Sequence, residues 1–163
     1  MTGNNYAFID SQNINLGVRR LGWKLDFKKF RVYLADKYHV HKAFLFIGFI
    51  AEQQNLYRSL QEYGYVLVFK PILKTPEGKV KGNCDAELVL QAMIEKDRYE
   101  RAVVVTSDGD FACLVDYLNR EGKLAAVFSP SSELCSSLLR KAGKEKMMFL
   151  QELRRKLEYI SQK

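Results

Sequence analysis

Five short apolar segments recur along the chain and are separated by more polar sequence. They cover residues 6–9, 43–50, 65–69, 102–105 and 124–128. Each segment is almost continuously apolar and does not alternate between apolar and polar positions, which is typical of strands whose two faces are both covered. The pattern therefore predicts five buried β-strands.

The sequence between these strands has the spacing of amphipathic helices. Apolar residues share a helix face in three places: Leu56, Leu60 and Tyr63; Val89, Ala92 and Met93; Leu114, Val115 and Leu118. A regular alternation of buried strands and helices is built from right-handed βαβ units. We expect one domain over residues 1–163, with a three-layer α/β/α sandwich fold and a mostly parallel central sheet.

The end of the chain predicts one further helix, over about residues 145–160. An apolar stripe recurs there at helical spacing and consists of Phe149, Leu150, Leu153, Leu157 and Ile160. This stripe would pack either on the body of the domain or on a second copy, and the second choice would give a homo-oligomer. The helix is also basic, since residues 140–163 hold eight lysines and arginines against three glutamates.

Composition narrows the class of protein. The 163 residues are 47% hydrophobic, which is enough for one core, and the formal net charge is +7. No segment reaches the ~18 uncharged apolar residues that a transmembrane helix needs, so we expect no membrane association. The three cysteines are far apart and odd in number, which indicates free thiols in the cytoplasm. The excess of basic over acidic residues favours a polyanionic partner such as nucleic acid.

A basic connection interrupts the strand and helix pattern between residues 74 and 83. Pro76, Gly78 and Gly82 break any regular pattern there, so we expect a flexible loop near the face of the domain that carries the functional site. Lys79 and Lys81 would then contact the phosphates of a substrate. The alternative is that these lysines are simply solvated.

Acidic residues follow two of the predicted strands. Asp10 ends the first strand, and Asp108 and Asp110 follow the fourth. Asp85, just after the basic connection, opens a predicted helix and can face the same sheet edge. Four carboxylates brought together would repel one another, and a divalent cation with oxygen ligands is the usual remedy. We therefore expect these four aspartates to be metal ligands and catalytic residues at an Mg²⁺ or Mn²⁺ site.

Smaller polar residues surround the predicted acids. Thr106 and Ser107 can hydrogen-bond a carboxylate or a phosphate, and Asn13 can orient the ligands through its amide group. Gly109 would let the backbone turn sharply between two acids. The alternative for Asp85 and Asp108 is that each simply caps a helix, which is a common position for aspartate.

Other enzyme classes fit the sequence less well. A phosphatase that uses Asp10 as a covalent nucleophile would need a second acid two residues later, and that position is Gln12. No glycine-rich phosphate-binding motif follows a predicted strand, which disfavours a nucleotide-cofactor enzyme.

Three motifs together resemble the NYN domain family of PIN-like nucleases, which includes the LabA-like proteins. They are Phe8-Ile9-Asp10-x-x-Asn13, Lys81-Gly82-x-x-Asp85-x-x-Leu88 and Thr106-Ser107-Asp108-Gly109-Asp110-Phe111, in the expected order. The resemblance implies a PIN-like fold, an Mg²⁺ or Mn²⁺ centre and endonucleolytic cleavage of RNA. It also implies that Asp10, Asp85, Asp108 and Asp110 form the acidic set, with Lys81 beside the phosphate path.

The chain departs from the family pattern at two points in the middle motif. Gln91 stands where many members have an aspartate, and one extra residue separates Gly82 from Asp85. Gln91 removes one charge from the surroundings of the acids. The second function that we consider is therefore an RNA-binding module with a weakened or inactive nuclease site.

The basic connection generates the first testable prediction. Reversal of both charges in a Lys79→Glu/Lys81→Glu variant should weaken RNA binding, because each phosphate contact contributes through counterion release. The loss should be largest at low salt and should shrink as salt is raised. Fluorescence anisotropy with a labelled RNA at several salt concentrations measures it, and an unchanged affinity would remove these lysines from the substrate path.

Overall fold

A computed structural model describes residues 3–71, 73–74, 76–77, 80–81 and 85–161, with the side chains of 71, 73–74 and 80–81 excepted. Within this part of the chain, six parallel strands form the central sheet: β1 (Asn5–Asp10), β2 (Val40–Phe49), β3 (Tyr65–Pro71), β6 (Ala102–Val105), β7 (Leu124–Ser129) and β8 (Met147–Phe149). Two short strands, β4 (Leu73–Lys74) and β5 (Val80–Lys81), form a separate antiparallel pair.

Seven α-helices connect or follow the strands in the described residues. They are α1 (Ser11–Arg20), α2 (Phe27–Tyr38), α3 (Gln54–Glu62), α4 (Asp85–Ile94), α5 (Ala112–Arg120), α6 (Ser137–Gly143) and α7 (Arg154–Leu157). Gly64 and Gly122 end α3 and α5 with φ values of 103° and 68°, a left-handed backbone conformation that glycine adopts without strain. None of the helices described is long and apolar enough to cross a membrane.

Both faces of the sheet are buried, as the apolar segments predicted. Along β1, Ala7 and Ile9 point into one core, which helices α1 and α2 cover with residues such as Ile14 and Phe30. The alternate residues of β1 point into a second core beneath α4, α5 and α6. The five predicted strands and the three-layer α/β/α fold with a parallel central sheet are confirmed.

The strand order places two loops side by side at the middle of the sheet. The order is β3-β2-β1-β6-β7-β8, so the chain moves outward in one direction from β1 and in the other from β6. Ile9 pairs with Val105, which brings the ends of these two central strands together. In open parallel sheets, ligands bind outside the carboxyl ends of the strands at such a switch point.

The predicted C-terminal helix over 145–160 is wrong. A 3-10 turn (Lys144–Lys146) leads into β8, and a second 3-10 turn (Leu150–Leu153) precedes the short helix α7. The physical reason is the open edge of β7, whose backbone groups pair with Met147, Met148 and Phe149.

The basic connection is also more regular than the sequence indicated. Leu73 pairs with Lys81 and Lys74 with Val80, so the connection contains a small hairpin where we expected an irregular loop. Pro76 and Glu77, which lie between the two paired segments, are in a turn.

Two apolar residues test whether the C-terminal region is a single helix, because such a helix would place both of them on the same apolar stripe. Leu150 is fully buried, whereas Ile160 is 67% exposed. Leu150→Ala should therefore lower the free energy of unfolding by about 2–5 kcal/mol, and Ile160→Ala should change it by less than about 0.5 kcal/mol. Urea unfolding measures both. Equal losses would favour the single-helix arrangement.

Candidate metal centre

Three aspartates bring their carboxylates together at the carboxyl edge of the sheet. Asp85 is the first residue of α4, and Asp108 and Asp110 lie in the loop after β6. One carboxylate oxygen from each lies within 4.8 Å of the other two. Oxygen ligands bind Mg²⁺ at about 2.0–2.1 Å and Ca²⁺ at about 2.3–2.6 Å, so oxygens around one ion are this close. The three residues could therefore hold one metal ion.

Asp108 has two structural relationships in this loop. Its Oδ1 accepts a hydrogen bond from the backbone N–H of Asp110 at 2.9 Å, and it thereby caps the 3-10 turn Gly109–Phe111. Its own N–H donates to Oγ1 of Thr106 at 3.2 Å. The capping alternative is therefore right for Asp108, but capping uses only one of about four acceptor positions of a carboxylate. Asp108 can cap the turn and bind an ion at the same time.

Asp10 lies beside the three aspartates but is not one of the three whose oxygens meet. It ends β1, and its Oδ2 accepts a hydrogen bond from Oγ1 of Thr106 at 3.2 Å. Burial is the main cause that raises the pKa of Asp10 to about 6, and the nearby charge of Asp85 adds to it. The hydrogen bond from Thr106 lowers the pKa, but by less. Burial and the charge of Asp85 thus both disfavour the ionised form of the Asp10 carboxyl.

Asn13 connects the two central loops. Its Oδ1 accepts hydrogen bonds from the backbone N–H and from the hydroxyl of Ser107, at 2.8 and 2.9 Å. Because Asn13 lies in α1, this pair of bonds holds the loop after β6 against the helix that follows Asp10. Two of the predicted accessory residues, Asn13 and Ser107, are therefore bound to each other, and Thr106 bridges Asp10 to the backbone of Asp108.

Gly109 is required for a different reason from the one that the sequence indicated. Its φ is not positive, so no sharp left-handed turn occurs between the two acids. A Cβ at this position would instead lie 2.4 Å from Oγ of Ser136. The backbone N–H of Ser136 donates to the carbonyl of Ser107, so the β7–α6 loop packs directly on the acidic loop. Glycine provides the space for this close approach.

A lysine that we did not single out in the sequence lies at the same edge of the sheet. It is Lys70, whose Nζ lies 3.5 Å from Oε2 of Glu87, two residues after Asp85. Lys70 is near the carboxyl end of β3. Its position directly after the apolar segment 65–69 is the signal that could have identified it, because that position faces the edge where the acids gather.

Gln91 lies in α4, and the two predicted substrate-binding lysines precede this helix in the chain. The side-chain amide of Gln91 donates to Oε1 of Glu95 at 3.0 Å, so it is bound to the next turn of its own helix. Of the predicted substrate-binding lysines, Lys79 lies outside the described residues, and for Lys81 only the backbone is described. Their role stays a prediction.

The raised pKa of Asp10 predicts a pH-dependent stability. Folding raises this pKa from its ordinary value of 3.8 to about 6. Between these two pH values the folded protein binds the proton more tightly than the unfolded chain does, so stability falls as pH rises. At neutral pH the ionised carboxylate should destabilise the metal-free protein by roughly 1–3 kcal/mol.

Asp10→Asn should therefore unfold at a higher temperature than the wild type at pH 7.5 in EDTA. The difference should narrow at pH 4.5, where most of the Asp10 carboxyl is already protonated in the folded protein. Calorimetry at both pH values provides the measurement, with Asp36→Asn, on the exposed face of α2, as a matched control. A difference that does not depend on pH would contradict the raised pKa.

One of two similar solved structures supports the fold. A crystal structure of a protein of unknown function from Vibrio parahaemolyticus aligns with a TM-score of 0.80 at 20% identity, over 97% of each chain. A PLP-bound putative aminotransferase from Clostridium difficile has a TM-score of only 0.30 at 9% identity, over 72% of this chain and 34% of that chain. No curated protein matches the sequence. The first alignment shows the same fold over essentially the whole domain.

The family is shown by the sequence match. The NYN domain matches residues 6–150, a range that includes Asp10, Asp85, Asp108 and Asp110. This domain belongs to the PIN-like nucleases, and together with the aspartate cluster it indicates a nuclease, an enzyme that acts on nucleic acid. The chain is thus a member of the NYN domain family.

Proposed function

We propose that this protein is an Mg²⁺- or Mn²⁺-dependent endoribonuclease. The observation that carries the proposal is the meeting of the Asp85, Asp108 and Asp110 carboxylates at the switch point of a parallel sheet. Hard divalent cations prefer such all-oxygen ligand sets. A family of PIN-like nucleases and this donor set therefore support the same chemistry, the hydrolysis of a phosphodiester bond.

The four aspartates have two different roles in this proposal. Asp85, Asp108 and Asp110 hold the cation, which when bound neutralises phosphate charge and lowers the pKa of water. Asp10 lies next to them and accepts a proton from the attacking water.

Two further side chains position these groups. The Thr106 hydroxyl holds Oδ2 of Asp10, and Asn13 holds the backbone and hydroxyl of Ser107. Both act through other residues and are therefore positioning residues. They fix the distance between the end of β1 and the loop after β6, on which the alignment of proton acceptor and ligands depends.

RNA is the proposed substrate, and the charge of the protein supports a nucleic acid. The formal net charge is +7, and such an excess of positive charge suits a polyanionic substrate. Substrate contacts from Lys79 and Lys81 are part of the proposal. We further propose a cytoplasmic location, which the free thiols of Cys113 and Cys135 support. Assembly into a homo-oligomer stays a prediction.

The second candidate function is an RNA-binding module with little or no chemistry. The observation that favours it is Gln91, whose amide is bound to Glu95 and contributes no carboxylate to the centre. Under this alternative the protein would bind RNA with any divalent ion present but would leave it intact.

Cleavage of a labelled single-stranded RNA separates the two candidates. The purified protein is incubated with Mn²⁺, with Mg²⁺ or with EDTA, and Asp10→Asn is purified and assayed in parallel to exclude a contaminating ribonuclease. Cleavage that needs metal and is lost in Asp10→Asn would support the nuclease. Binding without cleavage under every condition would favour the binding module, and Gln91→Asp would then be the first variant to make.

The cluster generates one prediction about activity and stability together. Asp108→Asn should lose at least about 100-fold in cleavage rate, because one ligand charge is removed from the centre. Its thermal stability in EDTA should be unchanged or higher, because asparagine still caps the 3-10 turn and charge repulsion is relieved.

Asp116→Asn serves as the matched control for Asp108→Asn. Asp116 pairs with Arg120 on the exposed face of α5 and should retain full activity when changed. A folded Asp108→Asn variant with wild-type activity, or one that fails to fold, would show that Asp108 has a structural role only.

A further inference from the structure

A groove begins next to the acidic centre and extends along α1. Its volume is about 530 Å³, and Ser11, Gln12, Asn15 and Arg19 of α1 form one wall. Residues 12, 15 and 19 are three and four positions apart, so they lie on one face of the helix. Leu56 and Leu60 of α3 contribute to the opposite wall. The volume is in the range of pockets that hold small organic ligands, about 300–1,000 Å³.

The groove opens at the same edge of the sheet as the aspartates. Ser11, at one end of it, directly follows Asp10 in the chain. Ile47 and Gly48 of β2 also line it, and Asp10 pairs with the neighbouring Phe46 in the sheet register. The groove and the acidic centre are therefore linked through the consecutive residues Asp10 and Ser11.

The lining differs in charge from the centre. It contains two cations, Arg19 and Lys24, and no acidic side chain. Lys24 is held with its Nζ 4.6 Å above the ring of Tyr159. None of the ion pairs among the described residues involves Arg19, so its guanidinium group is not neutralised by a partner carboxylate there. An anionic ligand fits this charge.

The same groove carries apolar surface and side-chain amides. Leu56 and Ile50 are 44% and 40% exposed, so both present apolar surface to the groove. Gln12, Asn15 and Gln53 each present an amide, which is both a donor and an acceptor. Apolar surface beside amides and cations matches the three parts of a nucleotide: the base face, the base edge and the phosphate.

We propose that this groove binds an unpaired nucleotide of single-stranded RNA, directly beside the phosphodiester that is cut. Arg19 and Lys24 contact phosphates, the apolar side chains pack on the base, and the amides bond its edge. The nucleotide must be unpaired, because in a duplex the base edge is already engaged and the base faces are stacked. The position of the cut relative to the groove rests on the proposed function, whereas the binding of RNA in the groove does not.

The first test compares two neighbouring arginines. Arg19 lines the groove, whereas Arg20 does not, and both are exposed in the last turn of α1. Binding of a labelled ten-nucleotide single-stranded RNA is measured by anisotropy in EDTA, which prevents cleavage. Arg19→Glu should weaken binding about tenfold at low salt and reduce the salt slope by about one, and Arg20→Glu should have less than about a twofold effect. Equal effects of the two variants would overturn the proposal.

The second test locates the bound strand. The same RNA with one 4-thiouridine is photo-crosslinked to the wild-type protein, and the attached peptides are identified by mass spectrometry. Crosslinks within 11–27 and 47–60, and competition by single-stranded but not by duplex RNA, would support the groove. Crosslinks confined to other segments, or equal competition by duplex RNA, would overturn it.

The proposed nuclease activity and the proposed RNA-binding groove can be refuted independently of each other. Metal-dependent cleavage by a protein whose Arg19→Glu variant binds and cuts like the wild type would leave the nuclease and refute the groove. Loss of binding in Arg19→Glu, in a protein that never cuts RNA, would leave the groove as an RNA-binding site and refute the nuclease.

Discussion

Repulsion among four aspartates at one edge of the sheet is the constraint on which the rest of the site depends. Three of them bring oxygens within 4.8 Å of one another, and the pKa of the fourth, Asp10, is raised to about 6 by its burial and, less strongly, by the charge of Asp85. Like charges this close, in partly buried surroundings, are stable only if the surrounding structure holds them or a cation neutralises them. The buried sheet provides the first condition, since its central strands cannot shift without disturbing both cores. The close approach of the acids predicts that a bound cation provides the second condition, neutralisation of their charge.

The supporting bonds show how the fold resists this repulsion. The Thr106 hydroxyl contacts Asp10 and the backbone of Asp108, and Asn13 ties Ser107 to α1. The bonds to Asp10 and Asn13 connect the loop after β6 with the end of β1 and with α1, and these segments are neighbours because the strand order reverses there. The topology, the loops and the candidate chemistry are therefore linked by a few short contacts. The proposed RNA groove is lined by Ser11, the residue that directly follows Asp10 in the chain.

The sequence was sufficient for five of the six strands of the central sheet, for the layers and for the edge where the acids gather, because continuous apolar segments and strand ends have direct structural meaning. It was insufficient at the C-terminus, where Leu150 and Leu157 have helical spacing but belong to two separate turns after β8. Periodicity does not show that a free sheet edge is available to pair with the chain. The contact of Glu87 with Lys70 and the space that Gly109 leaves for Ser136 depend on how separate elements pack, which no local pattern contains. The position of Asp10 beside the other three acids, and not among them, has the same cause.

The central claim is that Asp85, Asp108 and Asp110 hold a divalent cation, and anomalous diffraction at the manganese absorption edge tests it most directly. Crystals of the wild type and of Asp108→Asn would be grown with Mn²⁺ and compared. The account predicts an anomalous peak between these three carboxylates in the wild type and a weaker peak or none in the variant. A wild-type crystal with no manganese at this position, or with manganese bound only elsewhere, would contradict it.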